Sequence, residues 1–292
     1  MYERLDNCPL CNSGQLHNKV ITKDHAISGE SFAIVECDNC KLNFTNPRPS
    51  EIDIHSFYES ENYISHSNTS KSIYDLAYKT VRYFTLKSKL AIINGLATKK
   101  NILDFGCGTG NFLLTCKKNG WQVTGIEPNE KARKLAIENV GDAIVTDLYS
   151  LPDNKQYHII TLWHVLEHTH DLQGTIKLLK GRLKKNGFLL IALPNNESWD
   201  AKYYKEFWAG YDVPRHLYHF NPGSFKRLTE SNKLRIIKTL PQKMDAFYVS
   251  LLSEKYKNNR NMPFKALSNG IKSNKSARND GQYSSLIYIL QR

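Results

Sequence analysis

The residues able to do chemistry fall into three sets. Four cysteines open the chain as Cys8-x-x-Cys11 and Cys37-x-x-Cys40. A C-x-x-C knuckle curls so that both thiolates point at one centre, and two knuckles complete a tetrahedral all-sulfur zinc site with no position left for a substrate. The second set is Asp104-Phe105-Gly106-Cys107-Gly108-Thr109-Gly110, an acid followed by glycine at every second position. The third gathers His164, Glu167 and His168, joined further on by Arg215, His216 and His219.

For the cysteines, disulfides are the structural rival, but they belong to oxidising compartments and nothing in Met1-Tyr2-Glu3-Arg4 marks export. The spacing therefore predicts a zinc-ribbon head holding one structural Zn2+. The glycine run disfavours a pyrophosphate: a dinucleotide site asks for G-x-G-x-x-G, and an acid at its mouth repels phosphate. Asp104 pairs instead with a cationic ammonium or sulfonium, which argues against a dehydrogenase.

Positioning these residues requires alternating strands and helices. Ile102-Leu103 reads as a buried strand ending at Asp104, with a helix beginning at Phe112 behind the turn. Trp121–Ile126 is a second strand ending in Glu127, and Pro128-Asn129 opens a helix over 131–139. Ala143–Thr146 is a third, ending in Asp147, with Leu148 placed to cover a ring face. Tyr157–Leu162 is a fourth, leading into Trp163, and Gly187–Leu193 is a fifth, after an amphipathic helix over 171–185. Leu234–Leu240 and Ser285–Leu290 close the sheet. The expected fold is α/β, a doubly wound, Rossmann-like seven-stranded sheet. The expected boundaries are a zinc-ribbon head over 1–48, a helical lead-in over 49–98 and a catalytic core over 99–292, with an insertion at 195–221. Within the lead-in, Ile73, Leu76, Ala77, Val81, Phe84, Leu90 and Ile93 recur at helical spacing, and Tyr63 and His66 are placed to close over a cofactor.

Taken together, the glycine turn and the three acids at successive strand ends resemble the class I S-adenosylmethionine (SAM) methyltransferases over roughly residues 100–240. The resemblance implies that Asp104 holds the methionine end of SAM and that Gly106, Cys107, Gly108 and Gly110 present bare backbone. It places Glu127 and Pro128 at the ribose, Asp147 and Leu148 at the adenine, and Trp163 along the cofactor. A cysteine ribbon before such a core is similar to a bacterial methyltransferase subgroup.

His164-Val165-Leu166-Glu167-His168 matches the inverted zinc-protease pattern H-x-x-E-H, but that motif needs a long helix and this one follows a strand. The segment resembles the Glu-x-x-Glu-His run after strand four of the ubiquinone-biosynthesis O-methyltransferases, which implies a divalent metal. Here His164 replaces the first Glu, while Glu167 and His168 match. Without a metal, a histidine here serves as a general base for the acceptor proton. Arg215, beside His216, suits a carboxylate or phosphate on the acceptor; an aromatic lid with no polar role is the alternative.

The net charge is +12, and the segment from Lys226 to Arg292 carries 14 Lys+Arg against 4 Asp+Glu. Such an end meets an anionic membrane, an acidic small molecule or nucleic acid. No apolar run has the length of a membrane span, so a cytoplasmic protein is expected. The leading function is methyl transfer to a small-molecule or lipid-linked acceptor at O, N or C. The rivals are an RNA methyltransferase using ribbon and basic surface, and a non-catalytic zinc-ribbon adaptor.

Overall fold

The computed structural model describes residues 1–58 and 73–292, with side chains in the first helix described from Arg82 onward. Tyr63 and His66 lie outside the described residues. In chain order the head contains β1 (Tyr2–Glu3), β2 (Leu16–Lys23), β3 (Ser31–Cys37), β4 (Asn43–Thr45) and β5 (Arg48–Pro49), then a 3-10 turn at Asp53–Tyr58. The lead-in helix is α1 (Ile73–Asn94).

The core alternates as the strand-helix pattern requires: β6 (Asn101–Phe105), α2 (Asn111–Lys118), β7 (Gln122–Ile126), α3 (Glu130–Val140), β8 (Ile144–Val145), β9 (Tyr157–Trp163), α4 (Leu172–Arg182) and β10 (Leu183–Pro194). The remaining elements are α5 (Trp199–Tyr204), β11 (Tyr218–His219), α6 (Pro222–Ser231), β12 (Arg235–Pro241), α7 (Asp245–Asn258), α8 (Pro263–Asp280) and β13 (Ser285–Gln291).

Seven strands form one sheet in the order β12-β13-β10-β9-β6-β7-β8. β6 pairs in parallel with β7 and β9, and β9 in parallel with β10. β13 runs antiparallel to both β10 and β12. Chain order reverses at β6, where the next strand along the sheet is β7 on one side and β9 on the other. Ligands of open α/β sheets bind at such a switch point, beyond the carboxyl ends of the strands. The doubly wound seven-stranded fold read from the sequence is the one observed.

The central strands are buried on both faces, Ile102, Leu103, Ile159, Ile160 and Leu189–Ala192 being closed to solvent, which is why they read as continuous apolar runs. Leu90 and Ile93 of α1 join the cluster formed by Ile102, Leu113, Cys116 and Trp121. Phe84, grouped with them by spacing, is instead 62% exposed and meets the Tyr83 ring edge-on.

The head shares structure with the insertion. β11, at the end of 195–221, pairs antiparallel with β4, extending the head into a four-stranded sheet ordered β11-β4-β3-β2. One apolar cluster runs from Ile34, Leu42 and Phe44 of the head to Leu162, Leu217 and Phe220.

Candidate active site

At the cysteine head, Cys8 Sγ stands 3.4 Å from Cys40 Sγ and Cys11 Sγ 3.5 Å from Cys37 Sγ. All four sulfurs lie within 4.8 Å of one another, and none is in a disulfide. The knuckles are built alike. The residue after each second cysteine, Asn12 or Lys41, has φ near +60° and donates its N–H to the carbonyl of the first, Cys8 or Cys37. The hydrogen bond from Cys40, helped by the N–H groups of Cys11 and Leu10, pulls the Cys8 thiol down to about 5. Zinc–sulfur bonds of about 2.3 Å make tetrahedron edges of roughly 3.8 Å, so four buried or half-buried sulfurs at these separations fit a tetrahedral thiophilic ion.

The second set sits at the switch point. Asp104, at the end of β6, accepts a hydrogen bond of 2.6 Å from the Thr161 hydroxyl on β9. Burial pushes Asp104 up to about 7 against the pull of Thr161 and Lys89. Gly106 has φ +74°, and a Cβ there would fall 2.6 Å from a Val165 methyl. Gly108 also lies at positive φ, but a Cβ on it would meet nothing within 4 Å. Bare backbone therefore faces open space at this turn, as a ligand lying against main chain requires. Cys107 turns its thiol into the core beside Gly125, and burial raises its pKa.

Glu127 ends β7 as expected. Its Oε2 accepts from the Gly108 N–H at 2.8 Å and its Oε1 from the Asn129 N–H at 2.9 Å, so the acid is aimed by the backbone of both turns. Burial raises its pKa while those N–H groups pull it back. Pro128 is exposed, and its carbonyl accepts from Arg133. Asp147 caps the turn after β8, its Oδ1 accepting from the Ser150 N–H, while Leu148 is buried beneath it. Trp163 meets Phe112 edge-on at 5.4 Å, and its buried Nε1 has no hydrogen-bond partner among the described residues. Lys89 of α1 lies 4.3 Å over the Trp163 ring. Burial lowers Lys89 to about 8, against the pull of Asp104 and Asp245. Sequence reasoning missed Lys89; a lysine among several on a helix carries no signal of pointing inward.

The third set divides. His164 has φ +58°, which projects its ring toward α7. There Nε2 is 3.1 Å from Asp245 Oδ2, and Nδ1 is 3.4 Å from Glu167 Oε1. The Gln242 amide joins them, bonding both Asp245 oxygens. Burial opposes the imidazolium, but Asp245 and Glu167 outweigh it and raise His164 to about 10. Flanked by two carboxylates that favour its imidazolium form, His164 stands outside the cluster that Glu167 forms with His168 and His216, where the sequence reading had grouped it with Glu167 and His168.

Glu167 is fully buried, and neither carboxylate oxygen accepts a hydrogen bond among the described residues. Facing it are His168 and His216, whose rings meet edge-on at 4.6 Å. One ligand atom from each of Glu167, His168 and His216 lies within 4.8 Å of the others. His168 Nδ1 is 2.9 Å from the Arg215 carbonyl, and His216 Nδ1 is 2.9 Å from the Gly210 carbonyl. A carbonyl partner takes Nδ1–H, so Nε2 is the atom each ring has left to turn toward a ligand. Burial, with His216 alongside, pulls His168 down to about 4, so it stays neutral. The Tyr58 hydroxyl is 3.0 Å from His168 Nδ1. Two imidazole nitrogens and a carboxylate oxygen converging this closely are a donor set of the kind that holds a divalent cation.

Arg215 is buried. Its Nη2 bonds Asp24 at 2.9 Å and Asp212 at 2.7 Å, and Nη1 bonds the Phe57 carbonyl. Its guanidinium ties the head to the loop that carries His216, where the sequence reading had it meeting the acceptor.

A methyltransferase-domain family model matches residues 78–239. The ubiquinone biosynthesis O-methyltransferase of Haemophilus ducreyi is 34% identical over 114 residues, 35% of this chain and 48% of that protein. Its counterpart from Bordetella pertussis is 28% identical over 109 residues, 35% of this chain and 45% of that protein. The chain thus spans about half the length of the curated relatives it matches. Among solved structures, the magnesium protoporphyrin IX methyltransferase of Synechocystis PCC 6803 with bound SAH superposes with a TM-score of 0.54 at 14% identity, covering 82% of this chain and 98% of that one. An O-methyltransferase from a Brevibacillus brevis trans-AT PKS multienzyme, also with S-adenosyl-L-homocysteine, gives 0.53 at 15% identity over 75% of this chain and 76% of that one. The fold is theirs, and with more than half of its length matched by the family model, the chain belongs to the methyltransferase-domain family.

Proposed function

We propose that the protein transfers the methyl group of SAM to a small-molecule acceptor, with a structural Zn2+ in the cysteine head. The observation that carries this reading is the set of acids at the ends of three adjacent parallel strands, Asp104, Glu127 and Asp147, around a Gly108 backbone open to space. Asp104 takes the cationic methionine end, the Gly106–Gly110 backbone the cofactor's flank, Glu127 the ribose hydroxyls and Asp147 with Leu148 the adenine. Among the described residues the Trp163 N–H lacks a partner where the cofactor would pass, and Lys89 supplies positive charge for a carboxylate beside it.

Methyl transfer is an in-line displacement. The acceptor's lone pair forms the new bond to the methyl carbon, the carbon–sulfur bond breaks with its electron pair left on sulfur, and the acceptor's proton departs. The chief demand is positioning. His168 and His216 offer Nε2 lone pairs to an acceptor hydroxyl or amine, and Glu167 supplies negative charge beside them. A divalent cation held by Glu167, His168 and His216 would polarise an acceptor oxygen and ease loss of its proton. The head's part is to carry Asp24 and Phe57 against Arg215, fixing the loop behind His216.

Calorimetry with SAM, S-adenosylhomocysteine and NAD tests the cofactor. Binding of the first two and not the third is expected; NAD binding alone would refute the reading. Turnover with candidate small molecules, with and without a chelator, then separates enzyme from adaptor. Metal analysis should return one zinc per chain, and its absence from carefully purified protein would remove the ribbon assignment.

A further inference from the structure

The two helices between β12 and β13 are amphipathic in an unusual sense. α8 packs inward through small and polar residues, Ala266, Asn269, Gly270, Ser273 and Ala277. At Gly270 the approach is so close that a Cβ would fall 2.5 Å from Phe247 of α7. Asn269 bonds Tyr204 and Glu254, and Ser273 bonds Asp200. The large apolar residues of α8 point the other way: Phe264 is 89% exposed, Leu267 53% and Ile271 54%. At spacings of three and four residues they form one stripe, continued by exposed Lys275 and Arg278. α7 repeats the arrangement, with exposed Met244 and Leu251 in line with exposed Lys255.

Charge decides what such a face fits. From Lys255 to Arg278 there are seven Lys and Arg and no Asp or Glu. Glu254, the acid just before them, is buried against Asn269 and Lys265. A second copy of the same face would be repelled. A nucleic acid would use the cations but give Leu267 and Ile271 nothing to stack on. An apolar stripe rimmed by cations matches an anionic bilayer surface, where side chains enter the acyl boundary and lysines meet headgroups.

We propose that the α7–α8 hairpin docks on anionic lipid surfaces, with Phe264, Leu267 and Ile271 inserted at the interface and Arg260, Lys272, Lys275 and Arg278 against the headgroups. No helix among the described residues is long and apolar enough to cross a membrane, so the contact is with one face of the bilayer. α7 begins at Asp245, which pairs with His164, so the docked hairpin leads directly to the histidine side of the site. Docking does not depend on which acceptor is methylated.

The test is co-sedimentation of the full chain with vesicles of phosphatidylglycerol and phosphatidylcholine, against vesicles of phosphatidylcholine alone. Binding to the first and not the second, weakened by salt, is expected. The combined substitutions F264S, L267S and I271S should reduce partition by roughly tenfold or more, and K272Q with K275Q by a similar factor. Both variants should keep wild-type SAM affinity by calorimetry, which also reports that they fold. Three results would overturn the proposal: no binding to the anionic vesicles, binding indifferent to the apolar substitutions, or a wild-type dimer in analytical ultracentrifugation that those substitutions dissociate while vesicle binding persists.

Discussion

The glycine-turn side and the histidine side of the site meet at β9 and are built by opposite means. Asp104, Gly108, Glu127 and Asp147 come from consecutive strand-turn units, and each is held by neighbours in the same sheet: Asp104 by Thr161, Glu127 by the Gly108 and Asn129 N–H groups. His164, Glu167, His168, His216 and the neighbouring Arg215 are instead brought together from separate stretches of the chain. Asp245 comes from α7, Tyr58 and Asp24 from the head, and Asp212 and Gly210 from the insertion. Backbone geometry defines one side, and a convergence of buried charges defines the other. The first tolerates change in the rest of the chain, whereas the second depends on the head and the insertion staying docked.

Breaking that docking should give the largest effect. Arg215→Ala leaves Asp24 a buried carboxylate, and Asp212 a partly exposed one, without their cation. Removing one partner of a buried ion pair costs about 3–5 kcal/mol, so urea unfolding should show a loss of that order. A loss under about 1 kcal/mol would mean that the β4–β11 pairing and the shared apolar cluster hold head and insertion without the ion pair. Asp104→Asn acts on the other side and should spare the fold. The neutral amide no longer attracts the cationic end of SAM, and affinity should fall by roughly 100-fold by calorimetry. Unchanged affinity would remove Asp104 from the cofactor site.

Glu167→Gln should separate the two sides in one variant. The amide cannot pair with His164 or serve as an anionic ligand beside His168 and His216. Turnover should drop by about 30-fold, or roughly 2 kcal/mol of barrier, with SAM affinity within twofold of wild type. Equal losses in both quantities would show that the two sides are coupled through His164.

This contrast also explains what could be read from the sequence. The glycine-turn side was legible because its residues sit at fixed offsets from strand ends, and strand ends follow from apolar runs. The cysteine cluster was legible for a similar reason, since C-x-x-C is a local geometry. Membership of the histidine side was partly legible through His164, Glu167 and His168, but their states were not. That His164 is drawn toward its imidazolium form depends on Asp245, about 80 residues away at the start of α7. That Arg215 turns inward depends on Asp24, which lies in the head. Lys89 was missed because only the folded α1 shows which helical lysine meets Trp163. Pairings across such separations leave no periodicity to read.

The smallest effect distinguishes the sides by pH. Burial raises Asp104 to about 7, so in the cofactor-free protein the carboxylate is mostly protonated at pH 6 and mostly ionised at pH 7.5. A cationic ligand prefers the ionised form, and SAM affinity should be roughly eightfold weaker at the lower pH, with proton release on binding. Stopping at pH 7.5 keeps Lys89, at about 8, and His164, at about 10, largely protonated throughout. Stability of the cofactor-free fold should run the other way. An acid whose folded pKa is raised disfavours the native state once the unfolded carboxylate ionises, so stability should decline from its ordinary value, 3.8, up to about 7. Asp104→Asn should flatten the affinity slope and remove the Asp104 share of the stability slope. An affinity independent of pH in the wild type would place the titrating acid away from the bound cation.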